Sequence, residues 1–365
     1  MKDTLATYFA SLEDPRSLRN QRHPLITLVG TSLLAALSGI DSFSGIQDFV
    51  DMHIEDLSQY FDFPHGFPSH DTYQRLWDAI SPTQFQACFA DFVASLEKVA
   101  SDVISLDGKT IRNSGVDKAI HIVSAWCHNN QLVLGQTKVD SKSNEITAIP
   151  EVLQLLDLEH KVITIDAMGA QREICQQIIE GVGDYVISLK GNQGTLHKDV
   201  KLYLEDPHHH QLINENHDKG HGRVETRTAM VSHEVGWLNE THNWPGLKAI
   251  GQITAVVRRQ GKETAETRYY ISSLTLDAAR LNDVARRHWS IENQLHWSLD
   301  VVFNEDKACI RNDNAAENLD MLRKWALAVL VKTKEKPEQS IKSLMRRNSM
   351  SFKHLATAVK KILHA

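Results

Sequence analysis

The sequence predicts an α/β protein: an all-helical leader, then a mixed sheet with covering helices and a strand-rich insertion. Three observations carry that prediction. Apolar residues recur at helical spacing to about residue 96, and from Ser101 they gather into short extended runs. Two of those runs, VISL and VITI, each end in an aspartate, Asp107 and Asp166. Between about 206 and 275 alternating strands interrupt the strand–helix series, and the helix-like stretch RRHWSIENQLHW (286–297) follows them with one carboxylate, Glu292.

In the leader, HPLITLVGTSLLAALSGI (23–40) reads as an apolar helix opened by Pro24 and closed around Gly39. SGIQDFVDMHIEDLSQYF (44–61) puts Ile46, Phe49, Val50, Ile54, Leu57 and Phe61 on one helical face. GFPSHDTYQRLWDAI (66–80) and SPTQFQACFADFVASL (81–96) add two helices, capped by Ser69 or Asp71 and by a Ser-Pro pair. Arg16, Arg19 and Arg22 would fall on successive turns of any helix ahead of them. VISLD (103–107), AIHIVSAWC (119–127) and QLVLGQTKV (131–139) are extended, with HNNQ as a hairpin turn. A helix (145–158), a strand (161–166), a helix (170–181) stopped by Gly181, a strand (184–190) and a helix (193–205) follow. Three strands, helix, strand, helix, strand, helix is the layout of a ribonuclease H-like core, a mixed sheet whose first and fourth strands lie side by side. The insertion contributes strands at 223–234, 247–259 and 266–274. The expected division is a helical N-terminal domain (1–96), a ribonuclease H-like domain (97–334) with its insertion at about 206–275, and a basic C-terminal segment (335–365) after a long helix at 312–334.

Apolar content of 42% and charged content of 24% are ordinary globular values. No run of about 18 apolar residues and no signal-peptide pattern is present, so a cytoplasmic protein with no membrane partner is expected. Cys88, Cys127, Cys175 and Cys309 lie singly, which disfavours a cysteine zinc cluster or a disulfide framework. The net charge of −6 is unevenly spread: residues 321–365 carry +9, leaving −15 for the remainder. A basic tail on an acidic body permits phosphate contacts where they are wanted.

A buried strand that runs into an aspartate holds a charge at the edge of a sheet, and a helix can bring a third carboxylate to meet such a pair. Three acidic oxygen donors suit Mg²⁺, a hard cation. Two divalent ions can activate a water or a 3′-hydroxyl and stabilise the leaving oxygen of a displacement at phosphorus. The residues therefore point to two-metal phosphoryl transfer on DNA, with Asp107, Asp166 and Glu292 as ligands. Their repulsion raises at least one pKa when no metal is bound. Asp300, Glu305 and Asp306 are rival third ligands. His288 and His296, four residues either side of Glu292, also invite a zinc site, although no H-E-x-x-H or cysteine partner supports one. For phosphate contacts, Lys109 and Arg112 follow Asp107, and Lys190 precedes a glycine turn whose backbone donors suit an anion. Arg223 and Arg227 share one side of a strand with Glu225 between them. Arg323, Lys324, Lys332, Lys334 and Lys336 form the densest basic patch near the tail.

LDGKTIRNS, TIDAMGAQ, DYVISLKGNQ, KGHGRVETR and HWSIENQLHWSLDVVFNEDKACIRNDNAAENLDMLRKWAL occur in this order, with DPRSLRNQRHPL and GFPSHDTYQRLWDAI ahead of them. Together they resemble the H repeat-associated (Rhs-linked) family of DDE insertion-sequence transposases over nearly the whole chain. The resemblance implies the triad Asp107, Asp166 and Glu292, two Mg²⁺ ions per site with Mn²⁺ as a substitute, and strand cleavage and transfer at the ends of an insertion sequence. The implied partners are double-stranded DNA, as terminal inverted repeats and target, and a second copy of the chain in a homodimeric complex. The implied setting is the bacterial cytoplasm, at the nucleoid when DNA-bound. A catalytically inactive DNA-binding remnant and a nuclease of the same fold are the alternatives, and an intact triad favours the active enzyme over a remnant. The wider superfamily carries Tyr, Arg and Lys around the glutamate in a YREK signature, and those positions here are Ala285, His288 and Leu299. Arg287, Lys307 and Arg311 are the candidates to replace them.

Overall fold

The computed structural model describes residues 2–96, 103–114, 119–139, 144–206, 208–209, 212–220 and 222–363. The domain boundary expected at 96/97 falls at the edge of residues outside that description. The leader is helical throughout: α1 (Lys2–Tyr8), α2 (Leu25–Leu37), α3 (Phe43–Met52), α4 (Ile54–Leu57), α5 (His70–Ala79) and α6 (Pro82–Ser95). Pro24 precedes α2, and Gly39 follows it with a φ of +82°, a conformation that favours glycine. The amphipathic stretch expected as one helix breaks at His53 into α3 and α4. Ser81 accepts a bond from the Gln84 N–H and starts α6, with Pro82 at its first position. The arginine stripe does not form. Only one 3₁₀ turn, Leu18–Asn20, occurs there, and Arg16 folds back onto Asp14 at 2.7 Å and onto the His23 carbonyl at 2.8 Å.

The sheet begins with the antiparallel strands β1 (Val103–Ile111), β2 (Ile120–Cys127) and β3 (Leu132–Lys138). After α7 (Glu145–Gln154), β4 (Val162–Ile165) pairs parallel with β1, and after α8 (Arg172–Glu180), β5 (Asp184–Leu189) pairs parallel with β4. The first and fourth strands are therefore neighbours. Helix α9 (Gly194–Glu205) leads into the insertion, which holds four strands where three were expected: β6 (Leu212–Gly220), β7 (Arg223–Ser232), β8 (Ala249–Arg259) and β9 (Lys262–Ser272), with α10 (Gly236–His242) between β7 and β8. Antiparallel pairing of β9 with β5 joins them to the core, so one nine-stranded sheet runs β3-β2-β1-β4-β5-β9-β8-β7-β6. Strand β6, LINENHDKG, is polar and poor in strand-forming residues, which hid it in the sequence; it lies at the sheet edge, where charged and polar side chains are favoured.

Alternation along the inner strands divides their side chains between two layers. Ile104, Leu106, Ile163, Ile165 and Ile187 pack with α7, α8 and α9 through Ile149, Val152, Ile174, Ile178 and Val200. Val103, Val162 and Val186 pack on the opposite face with α11 (Ala278–Ser290) through Leu281, Val284 and Ala285. A third core joins the leader to the last part of the chain. There Trp325 of α12 (Asp313–Lys332) is fully buried among Phe9, Phe85, Phe89 and Phe92, with α13 (Ile341–Met350) and α14 (Phe352–Leu363) on the same cluster. Among the described residues, no helix is long and apolar enough to cross a membrane.

This shared core has a measurable consequence. Trp325→Ala is expected to cost about 3–5 kcal/mol, the usual loss for a buried aromatic reduced to alanine. Urea unfolding followed by circular dichroism checks it, and an unchanged midpoint would mean that α12 does not hold the leader in place.

Candidate metal centre

Asp107 and Asp166 reach the site through strand register. Leu106 pairs with Ile165 in the parallel β1–β4 ladder, so the residue after each is an aspartate; Asp166 follows the end of β4, but β1 runs on to Ile111, so Asp107 lies within its strand, paired with Ser124 of β2, and not at the strand end expected from the sequence. Asp107 accepts a bond from the Gly108 N–H at 2.9 Å. Asp166 turns its carboxylate onto the N–H groups of Met168 at 2.9 Å and Gly169 at 3.4 Å, capping the short turn after β4. Glu292 arrives from α11, which continues beyond Ser290 in wide π-helical turns, Ile291–His296 and Ser298–Val302. Such turns gather at functional sites in other proteins. Ile291, Leu295 and Leu299 are buried and press this helix on the core, leaving Glu292 half exposed. Two bonds fix the helix laterally: the Ser105 hydroxyl to the Arg287 carbonyl at 3.3 Å, and the Trp126 indole N–H to the Ser290 hydroxyl at 3.0 Å.

The three carboxylates line one cavity of about 170 Å³ together with Lys190, Arg268, Tyr270, His288 and Trp289. Ligand atoms of Asp107, Glu292 and His296 all lie within 4.8 Å of one another, while Asp166, just past the end of β4, stands outside that tight group. Burial pushes the Asp107 carboxyl up to about 7, and the charges of Glu145, Asp166 and Glu292 push the same way against the Gly108 bond. Burial also raises Asp166, opposed by its two backbone bonds and by Lys190. His296 is lowered by burial despite the pull of Glu292. Its Nδ1 lies within hydrogen-bond distance of Glu292 at 3.0 Å, and its buried Nε2 has no hydrogen-bond partner. Two carboxylates crowded with an imidazole, and a third carboxylate beside them, fit a divalent cation. His288, the other histidine of the zinc reading, is not in the close group; desolvation draws its pKa down to about 4.

The rival ligands have other work. Lys109 reaches Glu305 at 2.7 Å and Asp300 at 2.8 Å, and it stands 3.8 Å from Asp306. Arg323 meets the other oxygen of the fully buried Glu305 at 3.1 Å. Lys324 is buried too, held by Asp320 at 2.8 Å and by Ser124 and Gln136. Lys109, Arg323 and Lys324 are therefore buried with their charges held by acidic partners, which corrects their assignment as DNA contacts. Arg287 is bound to Asp283 at 3.0 Å and to Asn129 in the β2–β3 turn, and it is not among the residues that line the carboxylate cavity. Arg311 and Lys307 line a separate cavity of about 530 Å³ between the leader and α12, not the carboxylate cavity. Arg112 stays exposed, 3.5 Å from Asp306.

Lys190 does line the site, and residues the sequence reading passed over join it. Arg268 and Tyr270 share one face of β9, and the Arg268 guanidinium lies 4.4 Å from the centre of the Trp289 ring. The same four side chains Arg268, Tyr270, Ala285 and Trp289 also line an adjoining groove that contains Arg223 and Arg227. Glu225, nearly buried, pairs with both of those arginines. The period-two pattern of ETRYYISSL was a usable signal for Arg268; its neighbourhood depended on β9 pairing with β5.

Comparison with known proteins follows the same lines. The family model described as Transposase DDE domain matches residues 99–329, and the one described as DDE_Tnp_1-associated matches residues 6–93. Protein YbfL of Escherichia coli (strain K12) is 39% identical over 97% of this chain and 97% of its own. YhhI of the same organism, an H repeat-associated protein with a provisional transposase name, is 38% identical over 97% of each chain. A solved structure of piggyBac transposase in a synaptic complex with hairpin DNA aligns with a TM-score of 0.47 and 12% identity, over 99% of this chain and 78% of that one.

The raised Asp107 pKa gives a stability test with a definite sign. Below the unfolded value of 3.8 the group is neutral in both states and costs nothing; the penalty grows as pH rises and is complete above about 7. Asp107→Asn is therefore expected to stabilise the metal-free protein at pH 8 by about 2–4 kcal/mol, and by little near pH 4. Denaturant melts in chelator at the two pH values check this, and equal effects at both would contradict the electrostatic cause.

Proposed function

Because the chain belongs to the DDE transposase family, we propose that it cuts and rejoins DNA at the ends of an insertion sequence, through a ribonuclease H-like core that presents Asp107, Asp166 and Glu292 to divalent metal. The observation that carries this reading is the convergence of the three carboxylates on one cavity from two neighbouring strands and a helix, with Asp107 driven up to about 7. Oxygen donors in that number suit Mg²⁺, with Mn²⁺ as a substitute. Bound there, two such ions would polarise the scissile phosphate, activate a water or a 3′-hydroxyl and stabilise the leaving oxygen.

The chain's own groups then position the DNA. Lys190 and Arg268, on the wall of the cavity, bind the non-bridging oxygens of the reacting phosphate, and Trp289 keeps the guanidinium in place beneath its ring. These groups take over the phosphate contacts that Ala285, His288 and Leu299 do not provide. Arg223 and Arg227 carry the phosphate chain onward along the adjoining groove, oriented by Glu225. His296 holds Glu292 through its Nδ1 and turns the carboxylate toward Asp107. The helical leader and a second copy of the chain complete the complex on terminal repeats and target.

Two outcomes test this. With Mg²⁺ and a duplex from the flanks of its own gene, the protein is expected to nick at the element boundary, and Glu292→Gln to abolish cleavage while leaving duplex binding nearly intact, because it removes charge at the metals and not a phosphate contact. Cleavage by that variant at the wild-type rate would remove Glu292 from the centre. Replacing Arg223, Arg227 and Arg268 with Gln should reduce the slope of log affinity against log salt by roughly two to three, at about 0.9 for each phosphate no longer neutralised. An unchanged slope would detach the groove from DNA.

A further inference from the structure

The helix that carries Glu292 shows solvent a second feature besides that carboxylate. Ile291, Leu295 and Leu299 turn to the core, so Trp289, Asn293, Trp297 and Val301, four residues apart, form a stripe along its outer side. Trp297 is 54% exposed and Val301 48%. A single exposed apolar side chain is ordinary, but these two line one cleft of about 330 Å³. The segment joining α12 to α13 supplies its other wall, with Lys334 and Lys342 against one acid, Glu338. Lys332 and Lys336 are neighbours in that same segment.

The cleft is connected to the carboxylate cavity by shared side chains. Trp289 lines both that cavity and the groove of Arg223 and Arg227, and Asn293 lines both that groove and the cleft. The Arg268 guanidinium already lies over Trp289, whereas no ring or cation is stacked on Trp297 among the described residues. We propose that the cleft takes an unpaired strand of DNA on its way from the carboxylate cavity, with one base stacked on Trp297 and the neighbouring phosphates set against Lys334 and Lys342. The chemistry of the walls selects this occupant. An open indole beside lysines matches a chain that alternates ring faces with negative charge, whatever its sequence. In a duplex the base faces are hidden against one another, so only an unpaired strand can offer one to Trp297. The competing occupant is a second copy of the chain, which would cover Trp297 and Val301 as an apolar face and has no need of the lysines. The inference rests on the reading of the cavity as the place where DNA is cut, and adds the path of one strand away from it.

Fluorescence anisotropy of the full-length protein in chelator tests this without cleavage, using a short labelled oligo-dT, an abasic strand of equal length and a duplex. Trp297→Ala is expected to weaken oligo-dT binding roughly five- to hundredfold, the range for one lost stacked base, and to leave the abasic strand and the duplex bound as before. Trp297→Phe, which keeps a ring, should hold most of the affinity. Where circular dichroism finds Trp297→Ala unfolded, Trp297→Leu is read with the same expectations, since it keeps apolar bulk without a ring. Replacing Lys334 and Lys342 with Gln should reduce the slope of log affinity against log salt for oligo-dT by roughly one to one and a half, at about 0.7 for each phosphate of a single strand. Oligo-dT affinity unchanged in Trp297→Ala, or a loss as large on the abasic strand, would overturn the proposal. So would sedimentation in which Trp297→Ala turns a dimer into a monomer while oligo-dT affinity stays, which would give the face to a second copy. Nicking of the flanking duplex by the wild type in Mg²⁺ is scored separately. A protein that nicks, but binds oligo-dT without regard to Trp297, loses the strand path alone; one that binds oligo-dT through Trp297 and never nicks keeps the path and loses the cutting reading.

Discussion

Pairing of Val103–Leu106 with Val162–Ile165 decides where the charges of the site must stand. Both faces of these strands are buried, one beneath α7 and α8 and the other beneath α11. A slip of one residue would exchange the two sets of side chains between the layers, so the register is strongly held. The residue after each paired segment is an aspartate. Burial of valine and isoleucine, with no attraction between the acids, forces Asp107 and Asp166 together. Burial, with a smaller push from the neighbouring acids, raises the Asp107 carboxyl to about 7, and a bound divalent cation would turn that unfavourable charge into ligands.

Glu292 is fitted to that pair by anchors at both ends of its helix. Before it, Ser105 and Trp126 bind the helix to β1 and β2. After it, Lys109 of β1 ties down Asp300 and Glu305, and Arg323 of α12 shares Glu305. Burial alone would raise the Glu305 carboxyl, but Arg323 and Lys109 overcome that and hold it low. Breaking such a buried group by removing one partner costs far more than an exposed pair would. The network thus links the strand that carries Asp107 to the core shared by the leader and the last three helices.

Much of this was legible in the residues. The apolar runs before Asp107 and Asp166 are local signals, and so are the helical spacing of Ile291, Leu295 and Leu299 and the hairpin of β2 and β3. The order of strands followed from their alternation with helices. Less was legible wherever a charge had to be read without its burial. Lys109, Arg323 and Lys324 look like phosphate contacts when counted along the chain, and only packing reveals that acids have claimed them. Arg268 and Trp289 depend on a pairing between distant segments, β9 against β5. Strand β6 was hidden because an edge position asks little of its sequence.

The central claim is that Asp107, Asp166 and Glu292 form a metal centre, and anomalous diffraction from a crystal soaked in Mn²⁺ locates the ion directly. The account predicts an anomalous peak among these three carboxylates, abolished when Asp107 is replaced by Asn. A peak confined to other acids or to surface histidines, with none between the two strands and the helix, would contradict it.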